Sequence, residues 1–387
     1  MKKEEELLLS VCKCAVNGGT PEISNDIDWT AFISLARHHN LLGVCHCVLN
    51  GIDTVPNDIR KRLLDCFFDI VFIYESQSNA LDDIKNELEK SNVRHVFFKG
   101  AVLRSLYTVP ESRSMGDIDL LVDMKDFESA DAAFKKIGFE QYFSNGTVIN
   151  YKRDNVVVEL HTSLVDNEVK NGFEDAFEYA VFDGMHGEFD DSFHLAYMIA
   201  HTANHLKYTG AGIRFVLDIA FLLKHKSIDF NAVFDILDKI GLSHFARVLL
   251  SVCMQWFGYG EIYTANTERV CQYLIEDGVF GSMKDDVSYT VSRLRQVGAF
   301  DNGDKKQGKF ALAIKLAFPS YSSLRKASYI KFLDGRPWLL PMAWCYRFAY
   351  NIKKTPSHMM STVKNIDDER TITLAKEELE FFKEIGL

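Results

Sequence analysis

The sequence has no run of about 18 apolar residues, the length that a membrane-spanning helix requires. Its start, MKKEEELLLSVCKC, carries acidic side chains where a secretory signal peptide has an uninterrupted apolar stretch. Low-complexity linkers and internal repeats are also missing. These absences favour a globular protein, which we expect to be cytoplasmic.

An excess of positive charge is missing as well, because the formal net charge is −10. Binding to nucleic acid irrespective of its sequence needs a basic surface, so nucleic acid is not an expected partner. The charge is nevertheless uneven. The segment from Asp304 to Lys354 contains eleven Lys or Arg residues and two Asp residues. We expect this basic segment either to dock an acidic acceptor or to pair with the acidic remainder of the chain.

The eight cysteines lack the spacing that is typical of zinc ligands. Cys12 and Cys14, like Cys45 and Cys47, stand two residues apart, and such residues face different ways on a helix. Most cysteines lie in apolar helical segments. We therefore predict buried, reduced thiols.

The most informative stretch that is present covers residues 95–122, HVFFKGAVLRSLYTVPESRSMGDIDLLV. It predicts a strand, a turn, a helix, a loop and a second strand. Asp117 and Asp119 are two residues apart in the second strand, so their side chains project from the same face. Neighbouring carboxylates repel each other unless they are protonated or bridged by a cation. The pair therefore predicts a divalent metal, Mg²⁺ or Mn²⁺.

The turn before this strand offers complementary chemistry. Gly100 lies between a strand and a helix, where backbone N–H groups can approach an anion closely. Lys99 adds a positive charge beside it. A phosphate-binding turn that faces a carboxylate pair predicts metal-dependent chemistry at a phosphorus atom.

A third carboxylate stands in the second strand of a predicted hairpin, residues 147–152 and 156–161. The second strand reads VVVELH. A carboxylate among buried apolar residues is costly unless it is paired or metal-bound, so Glu159 is the predicted third carboxylate. It can reach the metal only if this strand pairs with the strand of Asp119. His161 projects from the same face and could orient a phosphate, relay a proton or hydrogen-bond the acidic cluster.

These residues resemble the signature of a subgroup of uncharacterised nucleotidyltransferases. The subgroup belongs to the superfamily that contains DNA polymerase beta and antibiotic nucleotidyltransferases. The resemblance rests on Phe98-Lys99-Gly100, on Arg113 and on the run GDIDLLV at 116–122. The chain departs from the superfamily pattern in two ways. Lys99-Gly100 replaces a Gly-Gly or Gly-Ser pair, and the gap to the aspartates is longer.

The resemblance implies that a nucleoside monophosphate is transferred from an NTP to an unknown acceptor, a small molecule or a protein, with release of pyrophosphate. Asp117 and Asp119 would hold two Mg²⁺, while Glu159 would share one of them and act as general base. Lys99 and Gly100 would contact the phosphates. A non-catalytic nucleotide sensor and a phosphotransferase are the alternatives.

Arg113 has two interpretations, a phosphate contact and charge compensation for the acidic cluster. The helical segment after residue 191 has two further pairs at i and i+4. His201 and His205 share one helix face and either line the active-site cleft, contacting the nucleotide, or simply pack. Arg214 and Asp218 predict a structural ion pair, with a nucleotide contact of Arg214 as the alternative.

The predicted fold class is α+β, with a small mixed-sheet nucleotidyltransferase core between two helical regions. The predicted divisions are an N-terminal helical region, 1–90, the core, 91–190, and a C-terminal helical domain, 191–387. The segment 337–354 is apolar, aromatic and then basic. We predict a core helix with a basic exposed edge, and a peripheral membrane contact is the alternative.

Overall fold

The structure is a computed structural model that describes residues 1–144, 147–164, 172–264, 267–278, 286–296, 314–324, 328–333, 335–354, 365 and 368–387. The chain forms two compact units. One contains residues 1–203 with 211–279, and the other contains residues 204–210 with 280–387. The predicted α+β class is confirmed, because helices flank a mixed sheet. The divisions expected near residues 90 and 190 stay predictions.

The first unit begins with helices, as predicted. They are α1 (Lys3–Asn17), α2 (Trp29–His38), α3 (Leu42–Leu49) and α4 (Asn57–Lys90). Asp28 is the N-cap of α2, and its carboxylate accepts hydrogen bonds from the N–H groups of Thr30 and Ala31. Such a cap satisfies backbone donors that the first helical turn leaves unpaired.

The sheet of the first unit has the strand order β3-β4-β5-β2-β1-β7-β6. The strands are β1 (His95–Phe98), β2 (Ile118–Val122), β3 (Glu140–Ser144), β4 (Val148–Arg153), β5 (Val156–His161), β6 (Ala180–Asp183) and β7 (His186–Phe189). The predicted hairpin is confirmed as β4 and β5, which pair antiparallel. β5 also pairs in parallel with β2, which is the neighbour that Glu159 requires.

Alternation along the strands gives the sheet two different faces. One face is apolar and packs against α4 and α6 (Phe127–Lys136). Ile118, Leu120 and Leu160 lie on this face, and Phe134 of α6 is fully buried against it. Burying one such side chain is worth about 1.5–3 kcal/mol, so this face fixes the strand register. The alternate residues, among them Asp119 and Glu159, are therefore directed to the other face.

Further helices follow the strands. The short α5 (Gly100–Leu103) follows β1 directly. After the sheet come α7 (Asp191–Tyr208), α8 (Ile213–His225), α9 (Phe230–Lys239), α10 (Ser243–Phe257) and α11 (Glu268–Asp277). Most side chains of α8 and α10 are buried, so these two helices form the interior of the helical part of the first unit.

The second unit is helical where it is described, with α-helices at Asp286–Gln296, Tyr321–Leu324, Leu340–Lys354 and Glu369–Glu384. The helix predicted within 337–354 is present, and its basic exposed edge stays a prediction, because the side chains of Lys353 and Lys354 lie outside what the structure describes. Trp338 is 71% and Met342 60% exposed, whereas Arg347 is buried and donates to the carbonyl of Ala317. Lys305, Lys306 and Lys309 of the predicted basic segment lie outside the described residues.

The cysteines and the length of the apolar helices can be compared with the sequence expectations. All eight cysteines are free thiols, and Cys12, Cys45, Cys253 and Cys271 are buried, whereas Cys345 is exposed. Among the described residues, no helix is both long and apolar enough to cross a membrane.

Candidate active site

A row of side chains crosses the non-apolar face of the sheet. Successive pairings align Phe98 of β1 with Asp119 of β2, Asp119 with Glu159 of β5, Glu159 with Asn150 of β4, and Asn150 with Phe143 of β3. Directly opposed residues on neighbouring strands share a face. The predicted carboxylates Asp119 and Glu159 are therefore side by side on adjacent strands.

Asp119, Glu159 and His161 form a group that could hold a metal ion. One potential ligand atom from each residue lies within 4.8 Å of the others, and no other group of this kind occurs among the described residues. His161 Nε2 lies 3.1 Å from Asp119 Oδ1 and 3.6 Å from Glu159 Oε2. The predicted set of Asp117, Asp119 and Glu159 thus shares two members with this group.

Asp117 lies just outside the strand, because β2 begins at Ile118. Burial, followed by the charges of Asp119 and Glu159, raises the pKa of Asp117 to about 6. Burial and the repulsion expected between neighbouring carboxylates thus act together against the ionised form of Asp117. A bound cation would relieve it by stabilising the ionised form.

Asp119 is buried and has two basic neighbours, Lys99 and His161. Lys99 Nζ lies 2.6 Å from Asp119 Oδ1, the oxygen that also contacts His161. Burial alone would raise the pKa of Asp119, but Lys99 and His161 outweigh it and hold this pKa below its usual value. Burial alone would also lower the pKa values of Lys99 and His161, and their acidic partners raise both instead. The ammonium of Lys99 is thus held on the carboxylate that would bind a metal ion.

The backbone at Lys99 is held in an unusual conformation. Its φ is +50°, a region that side-chain-bearing residues rarely adopt and that costs about 1–3 kcal/mol. The Lys99 N–H donates to Nε2 of His194, at 3.3 Å. Burial lowers the pKa of His194 to about 4, so this ring is neutral at pH 7 and can accept the hydrogen bond. His194, on α7, therefore positions the turn.

Gly100 begins α5 at the predicted boundary between strand and helix. A Cβ atom at this position would lie 2.9 Å from Arg113 Nη1 and 2.7 Å from the sulfur of Met115. A larger residue here would have to displace one of these two side chains, so glycine suits the position.

Arg113 makes a buried two-point ion pair with Asp218 of α8. The distances are 2.7 Å from Nε to Oδ1 and 2.9 Å from Nη2 to Oδ2. The hydroxyl of Tyr107 donates to the same Oδ1, at 2.7 Å. The remaining terminal nitrogen, Arg113 Nη1, is buried and has no hydrogen-bond partner among the described residues. It is the nitrogen next to Gly100.

The predicted ion pair between Arg214 and Asp218 is wrong. Both oxygens of Asp218 are bonded to Arg113, which reaches them from a loop 105 residues earlier. Arg214 instead donates through Nη1 to the carbonyl of Ser114, at 3.3 Å, and its buried Nε has no partner among the described residues. Two arginines with spare buried donor atoms are thus associated with the loop that leads to Asp117, Arg113 within it and Arg214 bonded to it.

The predicted histidine pair is divided between the two units. His201 belongs to the first unit and stacks on Tyr197, at 6.1 Å between ring centroids, and Tyr197 packs against Phe98 of β1. His205 belongs to the segment 204–210 of the second unit, where its Nδ1 lies 2.8 Å from the hydroxyl of Thr209. The role of the pair in the cleft stays a prediction.

Sequence reasoning missed several residues of the site. His194 stands seven residues before His201 on the same helix, and this spacing places both on one face. That signal was available. Asn150, whose amide donates to Glu159 Oε1 at 3.0 Å, and Tyr107 had no comparable local signal, because strand pairing and loop packing bring them in.

A sequence model of a family described as uncharacterised nucleotidyltransferases matches residues 25–258. The chain belongs to this family. The matched range includes every strand of the described sheet and every predicted site residue. No curated protein and no solved structure matches the chain. Family membership supports nucleotidyl transfer as the general activity, suggests a transferase and implies an NTP substrate.

Proposed function

We propose that this protein is a metal-dependent enzyme that transfers a nucleoside monophosphate from an NTP to an acceptor and releases pyrophosphate. The observation that carries the proposal is the group of Asp119, Glu159 and His161 on adjacent strands, with ligand atoms within 4.8 Å. The nucleotidyltransferase family supports the reaction class. We also propose membership of the superfamily that contains DNA polymerase beta, which the pattern of residues 98–122 resembles.

The residues present fit Mg²⁺ or Mn²⁺. Carboxylate oxygens suit both ions, and the imidazole of His161 is better tolerated by Mn²⁺. Asp119 and Glu159 would hold the ion together with Asp117 or His161. When bound, the metal neutralises the charge on the transferring phosphate oxygens. The ammonium of Lys99, 2.6 Å from Asp119 Oδ1, supplies the balancing charge in the structure described.

The phosphates of the NTP would lie on the β1 side of the carboxylates. Lys99 and the backbone at Gly100 are there, with the spare donor Arg113 Nη1 next to Gly100. Arg214, whose Nε is also a spare donor, contacts Ser114 of the following loop. A buried donor without a partner costs about 1–3 kcal/mol. Phosphate oxygens would satisfy these donors, and the ion pair with Asp218 fixes the orientation of Arg113 while they do so.

Glu159 is the carboxylate best placed to act on the acceptor. Its side chain is 29% exposed, compared with 4% for Asp119. The nearby imidazole of His161, the largest influence, lowers the pKa of Glu159, so this carboxylate is ionised at neutral pH. An ionised, accessible carboxylate can accept the proton that an acceptor hydroxyl loses when it attacks the phosphorus atom.

The test is to incubate the protein with each of four α-labelled NTPs, cell extract and Mg²⁺ or Mn²⁺, and to follow label transfer and pyrophosphate release. We expect Asp119→Asn to abolish both, while Glu128→Gln, on the exposed side of α6, leaves them unchanged. Release of ADP in place of pyrophosphate would indicate a phosphotransferase. Metal-dependent NTP binding without any product would indicate a sensor.

A further inference from the structure

Two exposed aromatic side chains stand at the end of the row of site residues. In the pairing of β3 with β4, Gln141 opposes Tyr151 and Phe143 opposes Asn150, so Tyr142 is an extra residue in a β-bulge. Tyr142 is 58% and Phe143 39% exposed. Bulges next to active sites commonly redirect a side chain.

The bulge directs this aromatic pair, Tyr142 and Phe143, to the face that carries the carboxylates. Phe143 lies opposite Asn150, and Asn150 lies opposite Glu159, so all three share that face. The two residues of a bulge oppose the same partner, which brings Tyr142 to the same side. Partial burial and the charges of Glu159 and Asp117 raise the pKa of Tyr142, which agrees with its position near the acidic group.

We propose that the aromatic pair is the subsite for the nucleobase of the NTP. This inference rests on the proposed function. The phosphates are assigned to the β1 end of the row, at Lys99 and Gly100, and the metal to its centre at Asp119. The nucleoside then extends over Asn150 towards β3, where the sheet face is exposed.

Distance and chemistry agree with this assignment. Three strand spacings separate β2 from β3, which is roughly 14 Å, and the ribose and base of one nucleotide span this interval together with the side chain of Tyr142. Aromatic side chains bind bases by stacking on their flat faces, and every base offers such a face. The pair therefore provides affinity for nucleosides as a class rather than selection of one base.

The experiment compares the affinities of Mg²⁺–NTP and Mg²⁺–tripolyphosphate by calorimetry. Tripolyphosphate has the phosphates without the nucleoside, so it reports the β1 end alone. We expect the double variant Tyr142→Ala/Phe143→Ala to bind each NTP about 5- to 150-fold more weakly, the range for loss of base stacking. Its tripolyphosphate affinity should equal that of the wild type. Tyr142→Phe keeps the ring and should bind NTP within about two-fold of the wild type.

Phe72→Ala is the matched control, because Phe72 is a 69% exposed aromatic residue on α4, outside the site. It should leave both affinities unchanged. Unchanged NTP affinity in the double variant would overturn the inference, even if transfer were lost, since the pair would then serve the acceptor. A parallel fall in tripolyphosphate affinity would also overturn it. Failure of the proposed function looks different, because the wild-type protein would then bind neither ligand or would bind NTP without ever releasing pyrophosphate.

Discussion

Breaking the buried ion pair between Arg113 and Asp218 should destabilise the first unit more than most single substitutions. Each side chain is only 4% exposed, and three hydrogen bonds converge on the two carboxylate oxygens of Asp218. Asp218→Asn keeps the shape of the side chain and removes its charge, which leaves the guanidinium of Arg113 buried without a counter-ion. Breaking a buried pair in this way costs about 3–5 kcal/mol.

Urea unfolding followed by circular dichroism measures this cost. Asp83→Asn is the control, because the ion pair of Asp83 with Arg153 is half-exposed and should contribute less than about 1 kcal/mol. Tyr107→Phe removes a single hydrogen bond to the same carboxylate and should cost about 1.5–3 kcal/mol. A decrease of less than about 1 kcal/mol in the free energy of unfolding of Asp218→Asn would refute the reasoning.

The dependence on pH provides a second check. Burial alone would raise the pKa of Asp218, but Arg113 holds it below its usual value. A carboxylate with a depressed folded-state pKa stabilises the protein fully above its unfolded pKa of about 3.9, and this contribution is lost as the pH falls through the folded value. The difference in free energy of unfolding between the wild type and Asp218→Asn should therefore be constant near pH 7 and should become smaller below about pH 4.

Three further predictions concern the proposed chemistry. Changing both Asp117 and Asp119 to Asn should remove metal-dependent NTP binding, because it neutralises two of the carboxylates proposed to hold the ion, and undiminished affinity by calorimetry would contradict the metal site. Lys99→Ala should weaken NTP binding by about 1.5–3 kcal/mol, the value of a charge-assisted contact, and an unchanged affinity of the folded protein would make the lysine purely structural. Glu159→Gln should keep NTP affinity within a few-fold and reduce transfer by roughly 10²-fold or more, and near wild-type transfer would exclude it as general base.

The face of the sheet that carries the carboxylates could be anticipated from sequence because its signals are local. Alternation of apolar and acidic residues places Asp119 and Glu159 on strands, and the cost of burying a lone carboxylate singles out Glu159. The prediction required the strand of Glu159 to pair with the strand of Asp119 but gave no signal for that pairing. The structure confirms it as the parallel pairing of β2 and β5. His161 could be placed on the same face, but its contact with Asp119 depends on that pairing.

The partner of Asp218 could not be anticipated, because the i,i+4 rule considers one helix alone. Arg214 satisfies the spacing, yet Arg113 supplies two aligned hydrogen bonds from a loop packed against α8. The fork of an arginine side chain matches a carboxylate best when both nitrogens can reach it, and tertiary packing decides which arginine does so. The bulge at Tyr142 could not be predicted for a similar reason, since only the pairing of β3 with β4 reveals the extra residue.

The predicted role of Lys99 differs from the contact that its side chain makes in the structure. The sequence predicts a phosphate contact, whereas the structure places its ammonium on Asp119. Under the proposed function these positions are compatible, because a divalent ion at Asp119 repels the ammonium from the same carboxylate. The nearest compensating charge is then the phosphate at the turn of Gly100, within reach of the same flexible side chain. Mg²⁺ should therefore tighten the contact between Lys99 and the triphosphate, so that Lys99→Ala weakens NTP binding more with Mg²⁺ than in chelator. Equal losses under both conditions in calorimetry would contradict this exchange.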